Sequence, residues 1–438
     1  MKKIINSMLT VSFLAYGVST AAQEKKSLSL DEAVMLGIQN SKNLKIDEAK
    51  IQEATANYLE ARNSRLPSLK VSGSALALAN ADVNLKIVQP SENGGSSPKA
   101  NSAFYGNVAA SLPLFTGGRI KYGIQSAEYL VEAAKLSTEN DKIAIAYNVS
   151  QAYNNLFKAS QAIRVLQENL SASQKRDESF QRLEDNGIIA RNDKLKANLQ
   201  TSNIELQLLE AQNNYNIANI NMDLLLGLPE STEIQIDETY INELAADQPV
   251  PYYLTKALEN RKDIQALDYQ LKAADLAIKS AKAESLPTVA LTGGYIAADI
   301  PKILTVVNAA NIGVGIQYNI DNLWKKNSSL LKAQARERQL SANNDLLNDQ
   351  IKLEVNRDYQ NASFAGKKIG VYEKAASQAN ENYRVTKNKF DNGLATITEL
   401  LDADAAQITA NVNVVNAKAD AALAYRKLLQ ISGILILR

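Results

Sequence analysis

The 438-residue sequence contains neither cysteine nor histidine. Without cysteine there is no thiol nucleophile and no thiolate metal ligand. Without histidine the chain lacks the commonest nitrogen ligand and the side chain that normally titrates near neutral pH. A site built from carboxylates alone, or from serine and lysine, stays open, but no motif groups such residues. The sequence therefore predicts a protein that is not an enzyme and that holds no metal ion or cofactor.

An excess of charge of one sign is also missing. Lysine and arginine number 48 against 47 acidic residues, so the chain as a whole has no field that would attract nucleic acid. No basic tract with interleaved aromatic residues occurs along it. We therefore expect no nucleic-acid partner.

The apolar run at the N-terminus is short. It covers residues 8–18, follows Lys2 and Lys3, and is followed by small residues at positions 19–22. This arrangement predicts a signal peptide over residues 1–22 and a mature protein that starts near Gln23. A membrane anchor is the alternative, but the run is too short to span a bilayer and a charged segment follows at once.

A segment of about 200 residues occurs twice in the chain. The sequence Asp185-Asn186-Gly187-Ile188 matches Asp391-Asn392-Gly393-Leu394 at an offset of 206 (391 minus 185). The same offset pairs Val149 with Val355, Tyr153 with Tyr359, Leu195 with Leu401, and Gly227 with Gly433. Each Asn-Gly separates two helical patterns, and both residue types tolerate the positive φ that ends a helix. The sequence therefore predicts two copies of one long helical hairpin.

Prolines and glycines are absent from residues 119–184 except for Gly123. A single helix over this range would be about 100 Å long. Its apolar stripe is thin, and the returning helix carries a second one. The two stripes contain Leu156, Ile163, Leu166 and Leu170, then Leu195, Leu199, Leu206 and Leu209. The last helix has a narrow coiled-coil seam from Leu401 to Leu429, with Thr396 or Thr398 as its cap and Glu399 and Asp402 near its start. Helices of this kind need lateral neighbours.

Each copy also contains two runs with the period of two that is typical of strands. In the first copy, Pro67 ends a helix over residues 29–65, and strands follow over residues 69–80 and 104–114. Residues 91–101 have no periodicity and predict an exposed loop. In the second copy the strands cover residues 289–295 and 306–318, with a turn at residues 299–302. The sequence thus predicts four strands in all.

The predicted organisation has four parts. The signal peptide (1–22) precedes a first repeat (23–229), an acidic linker outside the helical tube (230–251) and a second repeat (252–438). Each repeat contains a helix, a β-hairpin and a long helical hairpin. Four strands cannot close a barrel, and strands of about ten residues have the length that crosses an outer membrane at a tilt. Several copies of the chain must therefore contribute strands to one barrel.

This order of elements resembles the TolC-type family of outer-membrane efflux channels. The resemblance covers nearly the whole mature chain. It is carried by Leu66-Pro67 and Leu286-Pro287 before the strands, by Pro113-Leu-Phe-Thr-Gly-Gly118 before the first long helix, and by the two Asn-Gly tips. It implies a mainly α fold in which antiparallel coiled-coil helices form an α-barrel tunnel. It also implies that four strands per protomer form a shared 12-stranded barrel in a homotrimer.

The resemblance implies a function and a location. The expected function is a channel for the efflux of small molecules, or for type I secretion. The expected partners are outer-membrane lipid, a periplasmic adaptor and an inner-membrane pump or secretion transporter. We expect the chain in the cell outer membrane with a long periplasmic extension. An exported coiled-coil structural or adhesin-like protein without channel activity is the alternative, although it would not need two proline-led β-hairpins.

The resemblance also implies two sets of functional residues. The tips that meet the adaptor correspond to Asn186, Gly187, Ile188, Asn392, Gly393 and Leu394. The acidic residues of the entrance constriction correspond to Glu399 and Asp402, with Asp193 past the first tip as the next candidate. In a three-fold ring, Glu399 and Asp402 would place up to six carboxylates around one opening. Local sequence alone also fits plain turns at the tips and plain helix-start carboxylates.

Two departures from the family pattern affect these expectations. Ala395 stands where well-known members have an arginine that helps to hold the entrance closed, so the closed state is expected to be held differently or less firmly. Trp324 and its neighbours replace the Pro-Leu-Phe-Gly-Gly type of turn in the second copy.

Overall fold

A computed structural model describes residues 25–82, 99–242, 248–301 and 303–435. The predicted signal peptide over residues 1–22, and residues 91–98 of the predicted loop, lie outside the described residues. The first copy contains β1 (Lys25–Leu28), α1 (Leu30–Asn40), α2 (Lys42–Asn63), β2 (Ser68–Asp82), β3 (Lys99–Phe115), α3 (Arg119–Asp185) and α4 (Arg191–Leu226). Next come β4 (Glu233–Ile236) and a 3-10 helix (Glu238–Asn242). The second copy contains α5 (Val250–Asn260), α6 (Lys262–Ala283), β5 (Thr288–Ile300), β6 (Leu304–Gln317), a 3-10 helix (Ile320–Leu323), α7 (Ser328–Asp391) and α8 (Ile397–Ile431).

The long helices dominate the fold, as the sequence predicts. Helix α3 has 67 residues and α7 has 64. Each turns back through a short tip into a helix of about half its length. Across the layer of long helices the packing order is α4, α3, α8, α7, and α6 packs against both α3 and α7. The expectation of a mainly α chain with two long helical hairpins and a four-stranded sheet is confirmed.

The first predicted helix is in fact two helices. Ser29 begins α1 with a capping box, in which its hydroxyl and the Glu32 carboxylate satisfy each other's backbone N–H groups. The chain leaves the helical conformation at Ser41, and the Ser41 hydroxyl accepts a hydrogen bond from the Leu44 N–H at 3.3 Å. The prediction of one helix over residues 29–65 was therefore wrong, because a serine that can cap a second helix looks like any polar helical residue.

The four long strands form one antiparallel sheet in the order β2-β3-β5-β6. The register aligns Val71 with Val108 and Tyr295, and aligns Leu69 with Ala110, Gly293 and Ile312. These residues share one face because side chains alternate along a strand. The other face carries Lys70, Ser72, Asn107, Thr292 and Asn311. The sheet is therefore apolar on one side and polar on the other, with β2 and β6 as its edges.

Two strands were missed in the sequence. β1 pairs in parallel with β4, from Lys25 opposite Glu233 to Leu28 opposite Ile236. The described chain thus has six strands rather than four. The segment 230–251 was expected to be an irregular linker outside the helices, but Ile234 and Tyr240 are buried in the main core with Tyr153, Phe157 and Leu226. Residues 99–101, expected to be loop, belong to β3.

The hydrophobic stripe of α4 also differs from the prediction. Leu195, Leu199, Leu206 and Leu209 are exposed. Over the same part of the helix the buried residues are Ala197, Ile204, Leu208 and Ala211. No helix in the described part of the chain is both long enough and apolar enough to cross a bilayer.

Candidate functional site

The candidate site is the pair of tips where α3 turns into α4 and α7 turns into α8. Gly187 and Gly393 have φ values of +70° and +72°. The N–H of Ile188 donates to the Leu183 carbonyl at 2.8 Å, and the N–H of Leu394 donates to the Lys389 carbonyl at 2.8 Å. These bonds, with those from each glycine N–H, form the Schellman motif that closes a helix with a left-handed residue. The two tips are therefore built in the same way.

The asparagine of each tip is used to close the turn. The Asn186 side-chain amide donates to the Arg182 carbonyl at 2.6 Å, and that of Asn392 donates to the Asn388 carbonyl at 2.7 Å. Both carbonyls belong to the last turn of a helix, and that of Arg182 also accepts a hydrogen bond from the Asn186 backbone N–H at 3.2 Å. The amides are thus structural, and the following residues are left to face outward. Ile188 is 67% exposed and Leu394 is 77% exposed.

The two tips pack against each other within one protomer. Phe180, Ala197, Ile397 and Leu400 form a small buried cluster, joined by Leu183, Ile189, Tyr383 and Phe390. The rings of Phe180 and Phe390 lie 5.5 Å apart. A groove of about 700 Å³ runs between the tips and is lined by Ile188, Asp193, Lys196, Phe390, Gly393 and Ala395, among others. The structure thus brings residues of both predicted tips into one surface.

The helices that leave the tips begin differently. Thr396 starts α8 with a capping box: its N–H and hydroxyl both donate to a Glu399 carboxylate oxygen, at 2.7 and 2.9 Å, and its hydroxyl accepts from the Glu399 N–H. Of the two threonines proposed as caps, Thr396 is the one used. Ala190 starts α4 without a side-chain cap. The second tip therefore has a helix start that is fixed by side chains, and the first does not.

The acidic candidates differ in how they are engaged. The Thr396 backbone N–H and hydroxyl hold the pKa of Glu399 below its ordinary value. Asp193 occupies the equivalent position at the first tip and lies 3.4 Å from the Lys196 ammonium. The same ammonium lies 3.5 Å from the Thr398 hydroxyl, so Lys196 links the two tips. Asp402 is exposed one turn further along α8. Neither Glu399 nor Asp402 lines the groove.

An ion pair behind the tips was missed by sequence reasoning. Arg176 of α3 donates to Asp404 of α8 at 2.7 Å, and only 10% and 6% of the two side chains is exposed. Arg176 also donates to the Ser173 hydroxyl, which is hydrogen-bonded to the Thr201 hydroxyl of α4. The partners lie 228 residues apart in sequence, so no local pattern could have paired them.

No group of three or more side chains of histidine, cysteine, aspartate or glutamate could hold a metal ion among the described residues. Three carboxylates near the tips have other partners: Asp193 pairs with Lys196, Asp404 pairs with Arg176, and Glu399 accepts from the Thr396 N–H and hydroxyl. The tips thus offer closed turns, exposed apolar residues and charges with fixed partners.

Comparison with known proteins agrees with this architecture. A family model described as outer membrane efflux protein matches residues 36–228 and 253–434. The outer membrane efflux protein BepC of Brucella suis biovar 1 is 21% identical over 446 residues, which cover 98% of this chain and 91% of the relative. The probable efflux pump outer membrane protein TtgC of Pseudomonas putida is 22% identical over 380 residues, which cover 78% and 75%.

A solved structure shows the same fold. The outer membrane protein VceC from Vibrio cholerae superposes with a TM-score of 0.75 at 18% identity and covers 92% of this chain and 96% of its own. The two matched segments of the family model coincide with the two copies of the helical hairpin and their strands, so the match extends over both. This chain belongs to the outer membrane efflux protein family.

Proposed function

We propose that three copies of this chain form an exit duct in the outer membrane that serves an inner-membrane pump through a periplasmic adaptor. The observation that carries the proposal is the four-stranded sheet with one apolar face and two unpaired edges, joined to long helical hairpins. Unpaired backbone groups in a bilayer cost several kcal/mol each, which favours closure by other copies. Three copies would give a shared barrel of twelve strands, with the helices extending into the periplasm as a tunnel.

The relatives support the direction of transport but not one substrate. The names of three relatives, TtgC, ArpC and CusC, describe efflux of toluene, antibiotics and cations. We infer the export of small molecules for this chain. We also propose that residues 23–229 and 252–438 act as two equivalent repeats, with residues 230–251 as the segment between them.

Transport and conductance test the function together. Purified protein in a planar bilayer is expected to show stable channel openings. A deletion strain is expected to accumulate an efflux dye, and restoring the gene should reverse this. A chain that reaches the membrane but neither conducts nor restores efflux would instead fit the structural or adhesin-like alternative.

We propose that the tips, Asn186 to Ile188 and Asn392 to Leu394, dock on the adaptor, with Ile188 and Leu394 as the contacts. The support is their exposure at the end of each hairpin, where closed turns present an apolar side chain. Leu394→Asp is expected to reduce efflux strongly while trimers still form, because it places a charge at an apolar junction. Leu394→Met keeps the apolar contact and serves as the matched control. Normal efflux in the Asp variant would contradict the docking role.

The conformational role of the tip glycines can be tested separately from the proposed contact of Ile188 and Leu394 with the adaptor. No atom lies within 4 Å of a Cβ built on Gly187 or Gly393, so the left-handed backbone alone restricts these positions. Gly393→Asn is therefore expected to keep efflux, since asparagine tolerates this conformation, and Gly393→Val is expected to impair it.

We propose Glu399 and Asp402 as the charges of the entrance, with Asp193 as the next candidate. The capping role of Glu399 means that alanine would change both charge and helix start. Glu399→Gln can keep the capping box while it removes the charge. Combined with Asp402→Asn, it is expected to lower cation selectivity and to weaken block by hexaammine cations without loss of helicity. Glu205→Gln on α4 is the control, and equal selectivity in both variants would place the constriction elsewhere.

A further inference from the structure

The connection from β6 to α7 carries the only tryptophan of the chain. After β6, the exposed residues Tyr318 and Ile320 lead to Trp324, which is 69% exposed. Lys325 and Lys326 follow directly and are also exposed. A large indole that is left in contact with solvent beside two ammonium groups is unusual, because tryptophan normally buries most of its surface.

The fold does not need this indole to make the turn. In the first copy, Gly117 and Gly118 turn the chain at positive φ, and a Cβ on Gly117 would lie 2.7 Å from Leu286. In the second copy a 3-10 helix replaces the glycines. Asn327 then begins α7: its side-chain oxygen accepts from the Leu330 N–H at 2.9 Å, and its amide donates to the Ala281 carbonyl at 3.0 Å. These bonds fix the start of α7 without Trp324.

Trp324 follows the end of an apolar surface. Ile312, Val314 and Ile316 of β6 alternate onto one face of the sheet and are all exposed, Ile312 by 82%. The stripe ends where the strand ends, and two basic residues, Lys325 and Lys326, follow Trp324 directly. In membrane proteins, tryptophan and tyrosine are enriched at the boundary between the apolar interior of the bilayer and water. Lysines near that boundary attract lipid phosphates.

The charges in this segment favour an anionic partner. The Lys325 ammonium lies 2.7 Å from the Asp321 carboxylate, so this pair is balanced internally. Lys326 is the next residue in the sequence and adds a second positive charge to the segment. One carboxylate against two ammonium groups gives a local net charge of +1 over residues 321–326.

We propose that residues 318–326 form a lipid-headgroup anchor, in which the Trp324 indole inserts at the headgroup level of the periplasmic leaflet and Lys326 binds phospholipid phosphate. The inference rests on the proposed outer-membrane location, which makes the helix-bearing end of the sheet the periplasmic one. At the corresponding place the first copy turns with Gly117 and Gly118 and has no tryptophan.

The single tryptophan provides a direct probe. In phosphatidylcholine vesicles the full-length protein is expected to show emission at shorter wavelength than tryptophan in water. Lipids brominated near the headgroup should quench it more than lipids brominated near the chain end, and acrylamide should quench it weakly. Emission and acrylamide quenching like those of free tryptophan would overturn the proposal.

Two relocated tryptophans calibrate the depth. In a Trp324→Phe background, Ile312→Trp on the apolar face of β6 is expected to be quenched best by the deeply brominated lipid. Phe364→Trp on α7 is expected to show no quenching by either lipid. A wild-type profile that matches the Ile312→Trp protein would also contradict an anchor at headgroup level.

The lysine is tested with charged lipid. Brominated phosphatidylglycerol at low mole fraction is expected to quench wild-type Trp324 more than brominated phosphatidylcholine, with an apparent preference of about fivefold for one lysine near the surface. Lys326→Gln should abolish this preference, and Lys332→Gln, an exposed lysine further along α7, should keep it. Equal preference in both variants would remove Lys326 from the anchor.

The outcomes separate this anchor from the function on which it rests. Protein that forms conducting channels but leaves Trp324 in water retains the proposed function and loses the anchor. Protein that does not insert into vesicles at all contradicts both.

Discussion

At the scale of single residues, Asp223 of α4 is the buried acid with the most consequences. Its side chain has no exposed surface. One carboxylate oxygen accepts from the Asn219 amide at 2.9 Å, and the other has no hydrogen-bond partner among the described residues. Asn219 in turn binds the Thr232 carbonyl and the Ile234 N–H, and so attaches β4 to α4. Asp223 therefore positions Asn219, and Asn219 attaches strand β4 to helix α4.

This burial predicts a pH dependence. Burial raises the pKa of Asp223 from an ordinary 3.8 to about 6, and the nearby Glu230 charge adds to the effect. The folded state thus binds the proton more tightly than the unfolded state does. Its stability is highest below the unfolded pKa and falls as pH rises from about 4 to about 6, by about 3 kcal/mol at most.

The expected result is an apparent Tm of the detergent-solubilised protein that decreases by about 2 to 4 °C between pH 4 and pH 7. Asp223→Asn keeps an oxygen for Asn219 and removes the titration, so its Tm should change less over this interval. Circular dichroism melts at several pH values measure both. The same slope in both proteins would assign the dependence to other groups.

At the scale of elements, the sequence predicted those features that depend on residues close together in the chain. Both Asn-Gly tips and the long uninterrupted helices were found because a turn residue or an absence of breakers acts within a few residues. β1 and β4 were missed because each has only four residues, and each is stabilised by a partner about 200 residues away. Four residues carry too little periodicity to indicate a strand. The ion pair between Arg176 of α3 and Asp404 of α8 was missed for a similar reason, because its partners are 228 residues apart in the sequence.

That ion pair gives a second prediction. Arg176 and Asp404 connect the first hairpin to the second, and both side chains are almost fully buried. Asp404→Ala would leave a buried guanidinium without its carboxylate, which is expected to cost about 3 to 5 kcal/mol. The double variant Arg176→Met with Asp404→Leu should recover most of this loss, because no charge is left unpaired. Thermal unfolding compares the three proteins, and equal losses in the single and double variants would show that shape rather than charge decides.

At the scale of the whole molecule, the protomer is open on both sides. The layer of long helices ends at α4 and α7, and the sheet ends at β2 and β6. Helix α7 has exposed apolar residues on the side away from its buried ones. These are Leu346, Leu353, Phe364 and Val371. The open helix edges thus have the same character as the open sheet edges: both lack a neighbour.

The buried face of α4 could not be predicted from the sequence. Its exposed leucines recur at steps that add threes and fours, and so do its buried residues on the opposite face. Periodicity indicates a stripe but not which neighbour covers it. The contrast with the second copy is informative, because Leu401, the equivalent of the exposed Leu195, is buried. Leu401 in the second copy is thus covered by neighbours within the protomer, whereas Leu195 at the same position in the first copy is left exposed.

The last prediction is that the open stripe of α4 joins neighbouring protomers by packing against α7. Leu199 is 64% exposed in the single chain, and a leucine buried at an interface contributes about 2 kcal/mol. Leu199→Lys replaces this with a charge that must lose water at three equivalent interfaces, so trimers should be lost or much reduced. Gln207→Lys adds the same charge on another face of α4 and should leave trimers intact. Light scattering of the solubilised proteins measures the mass of each, and a trimeric Leu199→Lys protein would place the protomer contact on a different surface.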